Sequence, residues 1–337
     1  MISEAVLVPS AGEKKKIRRL YNRIGYALIA QYLLMMILAA AGFALVEPFI
    51  KEEVTEDGYA VVGFAEASVM FCAPALASAV VFLGYCLFTK TGMTSLFAAG
   101  EVSGSFLLKT VGVCFFAHQA GGLLQTLVML ILTFMGLGTP NLEFVLSDDG
   151  PTSFMNVFTS VLLAPVAEEL VFRGVLLKEA SRVSQRFGIV LSAVIFGLMH
   201  GNPYQFVLGM LIGLVLGYVT VKSGSLIPAV AGHVAVNTMA SVPDIAMIID
   251  DSLYTPVYYI VSAVEFVIGA AVLIKVISAG EIKLPPYTAY HKKRTLPVMV
   301  TSVPMLIIFA VYVYDMISSV APVEETENAL KIIAALF

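Results

Sequence analysis

Residues 156–177 read NVFTSVLLAPVAEELVFRGVLL, a mainly apolar run that contains three charged side chains. Its length is close to the roughly 20 residues that an α-helix needs to cross the hydrocarbon core of a bilayer. Glu168, Glu169 and Arg173 lie inside this run, where an ionisable group costs several kcal/mol unless it is paired or hydrated. The run therefore predicts a membrane helix that carries a functional polar site.

The composition of the whole chain also indicates a membrane protein. Its 337 residues are 59% hydrophobic and 13% charged, whereas about a quarter of the residues in a soluble domain are charged. The net charge is −4 and no basic stripe is present, so we expect no nucleic-acid partner. The cysteines, Cys72, Cys86 and Cys114, all lie in apolar runs, so neither a disulfide framework nor a cysteine-based zinc site is expected.

Apolar segments divide the chain into predicted membrane helices at residues 24–46, 67–88, 111–137, 156–177, 188–200, 205–221, 226–242, 255–277 and 296–320. We expect an all-α fold, a polytopic transmembrane helical bundle of about eight or nine spans with an intramembrane polar cavity. The short fifth and sixth segments predict a hairpin that turns at residues 201–203. A single transmembrane domain, residues 24–320, is expected between a basic segment, 1–23, and an acidic C-terminal tail, 321–337.

The distribution of basic residues predicts the orientation. The stretch 14–19 is rich in lysine and arginine, which the positive-inside rule keeps in the cytoplasm. The loops at 47–66, 138–152 and 244–251 are poor in lysine and arginine and are expected outside, with the loops between them inside. We therefore predict an integral membrane protein with a cytoplasmic N-terminus, in the plasma membrane if the source is prokaryotic.

Polar side chains from three predicted helices lie at a similar depth. Measured from the cytoplasmic flanks, Glu168 is about 15 Å into the membrane, His200 about 18 Å and His233 about 16 Å. A carboxylate and two imidazoles from separate helices are thus expected to meet near the middle of the bilayer. A carboxylate serves as a general base and an imidazole as a general base or a hydrogen-bond donor, so this group is suited to activating a water molecule.

Spacing along each helix predicts which side chains share a face. Glu169 and Arg173 are four residues apart and are expected to pair on one face. Glu168 projects about 100° away from them, toward a cavity. His233 and Asn237 are also four apart and project together, and the asparagine amide is suited to stabilising an oxyanion.

Three motifs occur in order along the chain: Glu168-Glu169-x-x-x-Arg173, Phe196-x-x-x-His200 and His233-x-x-x-Asn237. They resemble the motifs of the CPBP (also called ABI) intramembrane protease family, which includes the type II CAAX prenyl endopeptidases and bacteriocin-immunity proteins. The resemblance covers residues 165–237, within a protease-like core at 156–242. It implies a helical core with a water-filled cavity open to the cytoplasmic side, hydrolysis of a peptide bond, and a peptide or protein substrate with a tail associated with the bilayer. The residues it implies as catalytic are Glu168, Glu169, Arg173, His200, His233 and Asn237.

The resemblance also implies a role for each residue. Glu168 activates water with His200, while His233 and Asn237 polarise the carbonyl and stabilise the oxyanion, and the remaining two residues support them. The family is labelled metalloprotease, and a glutamate mechanism without metal is the alternative. Glu168, His200 and His233 match a zinc ligand set, although the contiguous H-E-x-x-H pattern is absent.

Structural roles compete with these assignments. Glu168 could belong to a buried ion pair with Arg173, and the two histidines could be hydrogen-bonded core residues. Phe196 is expected to pack beneath an imidazole. His118 is interpreted as structural or cavity-lining, and Glu265, which lies in the middle of the eighth segment, is left without a role.

Three functional classes stay open at this point. The leading one is an intramembrane endopeptidase. The alternatives are a proton-coupled transporter, since intramembrane glutamates and histidines also mark proton relays, and a non-catalytic immunity or peptide-binding membrane protein. An aspartyl protease is not supported because Asp315 has no Gly-x-Gly-Asp partner, and no Gly-x-Ser-Gly motif supports a serine protease.

Overall fold

The computed structural model describes residues 11–50, 53–55, 60–98, 102–138, 144–147, 149–285 and 298–322. Its helices are α1 (Ala11–Val46), α2 (Phe64–Thr89), α3 (Met93–Leu96), α4 (Gly104–Phe134), α5 (Gly150–Phe158), α6 (Ala164–Val171), α7 (Lys178–Ser181), α8 (Gln185–Leu198), α9 (Pro203–Ser223), α10 (Ile227–Ile249), α11 (Tyr254–Ser278) and α12 (Val303–Ser318). Short 3₁₀ turns cover Glu47–Phe49 and Asp251–Leu253. The predicted all-α membrane bundle is confirmed.

The helices differ in their ability to cross a bilayer. Within the described ranges, six are long and apolar enough to span a membrane: α1, α2, α4, α9, α10 and α11. The apolar helices α8 and α12 have 14 and 16 residues, which give lengths of about 21 and 24 Å against a hydrocarbon core of about 30 Å. The chain is an integral membrane protein. Its predicted eight or nine spans correspond to six helices of spanning length and several shorter or interrupted ones.

The fourth predicted segment lies in a continuous helix, residues 150–181, that is partly α-helical and partly π-helical. Two π-helical stretches, Thr159–Leu163 and Phe172–Leu177, interrupt its α-helical pattern on either side of α6. A π-helical stretch widens the helix and shifts the faces of the residues that follow, and such stretches are frequent at functional sites. Glu168 and Glu169 lie in α6, between the two stretches.

Helix α1 begins earlier than the apolar pattern predicts. It starts at Ala11, so the described part of the basic N-terminal segment is helical. Ile17, Tyr21, Ile24 and Leu28 are buried and recur on one face of α1, which extends the packed stripe across the basic region. The lysines and arginines occupy the other faces, which explains why hydropathy alone places the start of the segment at residue 24.

The α8–α9 hairpin is confirmed. Gly201 adopts φ +67°, which favours glycine, and the side chain of Asn202 caps α9 by accepting a hydrogen bond from Gln205 N at 2.8 Å. A Cβ atom at Gly197 would lie 2.5 Å from Phe206 O, and one at Gly213 would lie 3.0 Å from Ala193 Cα. Small residues therefore bring the two helices into close contact, as is common in membrane bundles.

Two short strand pairs join loops at one end of the bundle. β1 (Ala60–Val62) pairs in parallel with β3 (Phe144–Leu146), and β2 (Leu137–Gly138) pairs antiparallel with β4 (Ala321–Pro322). These strands belong to the loops and tail that the charge pattern predicts on a single side of the membrane. The remainder of the acidic tail, from residue 323, and the stretch 286–297 that contains His291 lie outside the described residues.

Candidate active site

Glu169, Arg173 and His233 form a buried network at the centre of the bundle. Arg173 Nη1 donates to Glu169 Oε1 at 2.8 Å, and the same oxygen lies 3.0 Å from His233 Nδ1. Both charged side chains are fully buried. A carboxylate oxygen only accepts hydrogen bonds, so His233 Nδ1 carries a hydrogen and donates a hydrogen bond to Glu169 Oε1. The predicted pairing of Glu169 with Arg173 is present, and His233 joins it from α10.

The guanidinium of Arg173 has further partners that hold it in place. Its Nη2 donates to the backbone oxygen of Gly213 in α9 at 3.4 Å, and its central carbon lies 4.4 Å from the centre of the Phe196 ring. These contacts link the 150–181 helix to α8 and α9. Because a buried charge is tolerated when it is paired and hydrogen-bonded, this arrangement stabilises the buried ion pair of Glu169 and Arg173.

Glu168 has a different environment from its neighbour. Its side chain is 20% exposed and lines a cavity of about 330 Å³ between α1, α2, α12 and the 150–181 helix. Its Oε2 lies 3.7 Å from His233 Nε2, which is too long for a direct hydrogen bond but close enough for electrostatic interaction. As the 100° offset predicts, Glu168 faces the cavity while Glu169 faces the buried arginine.

His233 therefore lies between two carboxylates. Glu169 accepts from Nδ1 on one side, and Glu168 faces Nε2 on the other. A carboxylate on Nδ1 fixes the tautomer and the ring orientation and stabilises the imidazolium if Nε2 gains a proton. The geometry thus prepares Nε2 of His233 to exchange a proton, or donate a hydrogen bond, on the side that faces Glu168.

His200 joins the site through Phe196. Its Nδ1 donates to the backbone oxygen of Phe196 at 2.8 Å, which leaves Nε2 with the lone pair in the neutral ring. The Phe196 ring packs edge-to-face against both imidazoles, with centroid distances of 5.1 Å to His200 and 5.6 Å to His233. The two histidines and the carboxylates of α6 are thus gathered from three helices, and Phe196 packs beneath the imidazole as predicted.

Asn237 has a structural partner. Its Nδ2 donates to the backbone oxygen of Ser160 at 2.8 Å. Ser160 lies in the first π-helical stretch, and asparagine thereby ties α10 to the 150–181 helix at that stretch. An asparagine amide has two N–H donors, so the predicted oxyanion role is compatible with this contact and stays a prediction.

Glycine makes room for His200 on the adjacent helix. A Cβ atom at Gly209 would lie 3.3 Å from both Cε1 and Nδ1 of His200. Any larger side chain there would press on the imidazole and on its hydrogen bond to Phe196. The glycine-rich stretch of α9 therefore supports the position of the histidine as well as the packing of α8.

The residues predicted as zinc ligands do not form a ligand set in this arrangement. His233 Nε2 and Glu168 Oε2 lie 3.7 Å apart, a separation that two ligands of one ion can have, and metal-bound histidines commonly make the contact that His233 Nδ1 makes with Glu169. In the part of the chain that the structure describes, no group of three or more His, Cys, Asp or Glu side chains is placed to hold a metal ion. The described residues thus supply no third donor beside Glu168 and His233, and metal dependence stays a prediction.

The cavity beside Glu168 has polar residues that motif analysis does not single out. Gln31 Nε2 of α1 donates to Ser78 Oγ of α2 at 3.0 Å, and both residues line the cavity. Tyr32, also at its wall, donates to Asp315 Oδ2 at 3.2 Å. The sequence gives only a weak indication that these residues line a cavity, because each is an isolated polar residue in an apolar helix.

A second buried polar cluster lies outside the motifs. Glu265 of α11 is fully buried, and its Oε2 lies 2.8 Å from His118 Nδ1 of α4 and 2.5 Å from Gln119 Nε2. The sequence alone gave no catalytic role to His118 or Glu265. In the structure these two residues contact each other. They join α4 to α11 rather than contributing to the site around Glu168.

Comparison with known proteins agrees with the motifs. Residues 150–239 match the family model described as "Type II CAAX prenyl endopeptidase Rce1-like". No curated protein and no solved structure gives a significant match. The matched range contains α5 to α9 and most of α10, with every residue of the three motifs. The predicted resemblance to the CPBP family is thus confirmed over residues 150–239, where the chain is similar to the Rce1-like type II CAAX prenyl endopeptidases.

Proposed function

We propose that this protein is an intramembrane endopeptidase of the CAAX type, in which Glu168 activates the water that hydrolyses a peptide bond. The observation that carries the proposal is the placement of Glu168. It lines the cavity and faces His233 Nε2 at 3.7 Å, while Glu169 holds the opposite nitrogen of that ring. A solvated carboxylate beside an oriented imidazole is suited to general acid–base catalysis.

The chemistry follows from the environments of the two glutamates. Glu168 accepts a proton from water in the cavity as the water oxygen adds to the carbonyl carbon of the substrate. His233, protonated on both nitrogens and stabilised by Glu169, donates from Nε2 to the developing oxyanion, and the second N–H of Asn237 supplies a further donor. The lone pair on His200 Nε2 accepts a hydrogen bond from the attacking water. The oxyanion then re-forms the carbonyl as the C–N bond breaks, and the protonated Glu168 passes its proton to the leaving nitrogen. One water is consumed, and a carboxylic acid and an amine are formed.

The fold and the comparison support a substrate delivered from the membrane. The cavity is lined largely by apolar side chains, including Met35, Met70 and Phe71, and the matched family acts, by its description, on CAAX prenyl proteins. We propose a protein or peptide with a membrane-associated tail as the substrate, with the scissile bond presented to Glu168 at the wall of this cavity.

The decisive test compares Glu168→Gln with an isosteric control at another glutamate. Glu168→Gln keeps the size of the side chain and removes the base, so cleavage of a membrane-tethered peptide is expected to fall by about 100- to 10,000-fold. Glu47→Gln, in an exposed turn after α1, is expected to keep wild-type activity. Mass spectrometry of substrates that accumulate with Glu168→Gln would identify the cleaved bond. Wild-type activity in Glu168→Gln would rule out the proposal.

Metal content can be measured on the same preparation. Because the described residues place no group of three donors for a metal ion, we expect activity to persist after treatment with a chelator. Stoichiometric zinc in the purified protein, together with loss of activity on chelation and recovery on adding zinc, would instead assign the metalloprotease mechanism.

A proton-coupled transporter is the second candidate, and the buried cluster of Glu265, His118 and Gln119 is the observation that favours it. The two functions make different predictions in proteoliposomes. A transporter would give pH-driven flux that is lost with Glu265→Gln. An endopeptidase would give no such flux, and it would cleave its substrate both with the native Glu265 and in the Glu265→Gln variant.

A further inference from the structure

The two ends of the helical bundle differ in charge. Helices α1, α4, α8, α10 and α12 begin at the end where α2, the 150–181 helix, α9 and α11 finish, and contacts such as that of Arg18 Nε with Thr301 Oγ1 join these termini. We call it the basic end. Apart from the buried Arg173, it holds every described lysine and arginine: Lys14, Lys15, Lys16, Arg18, Arg19, Arg23, Lys90, Lys109, Lys178, Arg182, Arg186, Lys222, Lys275 and Lys283.

The described loops at the opposite end contain no lysine or arginine. They carry Glu47, Glu53, Asp149, Asp250 and Asp251 instead, and we call this the acidic end. Because lysines and arginines are retained on the cytoplasmic side of a membrane protein, the acidic end is expected on the other side of the bilayer.

The cavity of Glu168 extends from that residue toward the acidic end. Its wall along the 150–181 helix consists of Glu168 and residues that precede it: Thr159, Ser160, Ala164 and Ala167. Thr159 precedes Glu168 by nine residues, which is about 13 Å along a helix. No described residue after Glu168 in this helix lines the cavity. In α2, which begins at the acidic end, the lining residues all lie between Met70 and Ser78.

Packed side chains separate Glu168 from the basic end. Residues 171–177, which follow Glu168 along the helix, are all buried. Phe172 and Leu176 are fully buried, and they belong to the same apolar cluster as Leu28 of α1. Since protein interiors are close-packed and leave few voids larger than a water molecule, a peptide cannot pass this layer unless the helices move apart.

A polar contact joins the walls of the cavity nearer the basic end. The buried carboxylate of Glu179 accepts a hydrogen bond from the Tyr85 hydroxyl of α2, and its Oε2 lies 3.6 Å from Arg23 Nη1 of α1. This contact holds α1, α2 and the 150–181 helix together. A separate cavity of about 240 Å³ at this end reaches Arg173, but it shares no lining residue with the cavity of Glu168.

We propose that the substrate enters the cavity of Glu168 from the acidic end. This inference rests on the proposed function and specifies its substrate class, which is an exported protein or peptide anchored at the non-cytoplasmic face of the membrane. The side chains of Met35, Met70 and Phe71 line the route to Glu168, so the segment that enters is mainly apolar.

Entry from the cytoplasmic side, which the family resemblance implies, is the competing interpretation. It requires the packed layer at Phe172 and Leu176 to open and the contacts of Glu179 to break. The two interpretations therefore differ in the side from which a water-soluble reagent reaches the wall beside Glu168.

Cysteine substitution can determine that side. Ala164→Cys places a thiol in the cavity wall one turn before Glu168. Asp251→Cys and Lys15→Cys mark the acidic and basic ends at exposed positions. Leu162→Cys is the matched control, because Leu162 lies at a similar depth but is 45% exposed and does not line the cavity.

The variants are made in a full-length chain whose cysteines are replaced by alanine. None of these cysteines lines the cavity, so this background is expected to stay active: Cys72, Cys86 and Cys114. Sealed membrane vesicles of each orientation are treated with a charged methanethiosulfonate that does not cross the bilayer, and modification and cleavage of a membrane-tethered peptide are measured.

We expect Ala164→Cys to be modified, with loss of cleavage, in the vesicles in which Asp251→Cys reacts. It is expected to stay unmodified where Lys15→Cys reacts. Leu162→Cys is expected to stay unmodified in both and to keep its activity, because it faces the bilayer. Modification of Ala164→Cys only from the side of Lys15→Cys, or from neither side, would overturn the proposal.

A second arm tests the side of the substrate itself. A peptide joined to a phospholipid is offered in one leaflet of proteoliposomes, whose protein orientation is defined by the reaction of Asp251→Cys. Cleavage is expected when the peptide is on the side of Asp251 and is expected to be lost when it is on the side of Lys15. The reverse result would overturn the proposal.

The labelling experiment separates this inference from the proposed function, because thiol modification does not require catalysis. Glu168→Gln is expected to keep the labelling pattern of Ala164→Cys while it loses cleavage. Wild-type cleavage by Glu168→Gln with that same pattern would refute the proposed function and support entry from the acidic end. Loss of cleavage in Glu168→Gln with labelling from the side of Lys15 would support the proposed function and refute the entry side.

Discussion

The adjacent residues Glu168 and Glu169 of α6 lie in different environments. Glu169 is fully buried between Arg173 and His233, whereas Glu168 is partly exposed to the cavity. The two side chains point about 100° apart because they are one position apart in the helix. Glu169 therefore forms a buried ion pair between helices, while Glu168 faces the cavity. We therefore expect stability and activity to separate cleanly between the two.

Glu169→Gln is expected to destabilise the protein by about 3–5 kcal/mol, because Arg173 is left as a buried charge without its carboxylate. Glu168→Gln is expected to leave the unfolding midpoint close to that of the wild type while activity is lost. Thermal or denaturant unfolding of the purified protein in detergent measures both. Equal stability of the two variants would contradict the assignment of separate roles.

The helical elements contribute to the site through close contacts between backbones. Gly197 and Gly213 bring α8 and α9 together, and this contact positions His200 and Phe196 beside His233. The π-helical stretches on either side of α6 also shape the site, because each changes the direction in which the side chains that follow it project. Both act on whole helices rather than on single side chains.

Gly197→Ala tests the contact between α8 and α9. The new Cβ atom would lie 2.5 Å from the backbone oxygen of Phe206, so the helices must separate. We expect a loss of about 1–3 kcal/mol in stability together with reduced activity. Gly84→Ala is the matched control, since a Cβ atom there meets nothing within 4 Å and alanine favours the helix. If Gly197→Ala had the same free energy of unfolding as Gly84→Ala, the close contact between α8 and α9 would not contribute to stability, which would contradict this prediction.

Asn237→Ala tests the tie between α10 and the first π-helical stretch. The backbone oxygen of Ser160 loses its donor, and we expect about 1 kcal/mol less stability with a larger fall in activity. Thr238→Ala, an exposed neighbour whose hydroxyl bonds within its own helix, should behave like the wild type. Full activity in Asn237→Ala would remove this residue from both the oxyanion and the positioning role.

At the scale of the whole molecule, polar contacts join parts of the chain that are far apart in the sequence. Lys109 at the start of α4 pairs with Glu281 beyond the end of α11, and the buried contact of His118 with Glu265 joins the same two helices deeper in the bundle. Neither pair is in the range that matches the protease family. These polar contacts therefore join two helices that lie outside the matched range, α4 and α11, to each other.

The surface contact makes a prediction about pH. The hydrogen bond from Lys109 lowers the pKa of Glu281 in the folded state. Its contribution to stability is therefore present above the unfolded pKa of the carboxyl, and it is lost as the pH falls through the lower folded value. We expect Glu281→Gln and Lys109→Gln to make the unfolding temperature less dependent on pH in that acidic range. An unchanged pH profile in both variants would show that the contact does not contribute.

The helical class, the order of the helices and the candidate residues could all be predicted from the sequence. Apolar length reports a membrane helix directly, and the i, i+4 spacing correctly paired Glu169 with Arg173 and turned Glu168 toward a cavity. The hairpin at Gly201 followed from short segments and turn residues. These features are local, and local patterns determine them.

Contacts between helices were decided only by the tertiary structure. The placement of His233 between the two glutamates, the partner of Asn237 at Ser160 and the pairing of His118 with Glu265 join residues far apart in the chain. Periodicity gives the face of each helix but not the neighbour that the face meets, because the neighbour depends on how all the helices pack. The π-helical stretches were equally unpredictable, since partners such as Asn237, and not local preference, satisfy the backbone groups there.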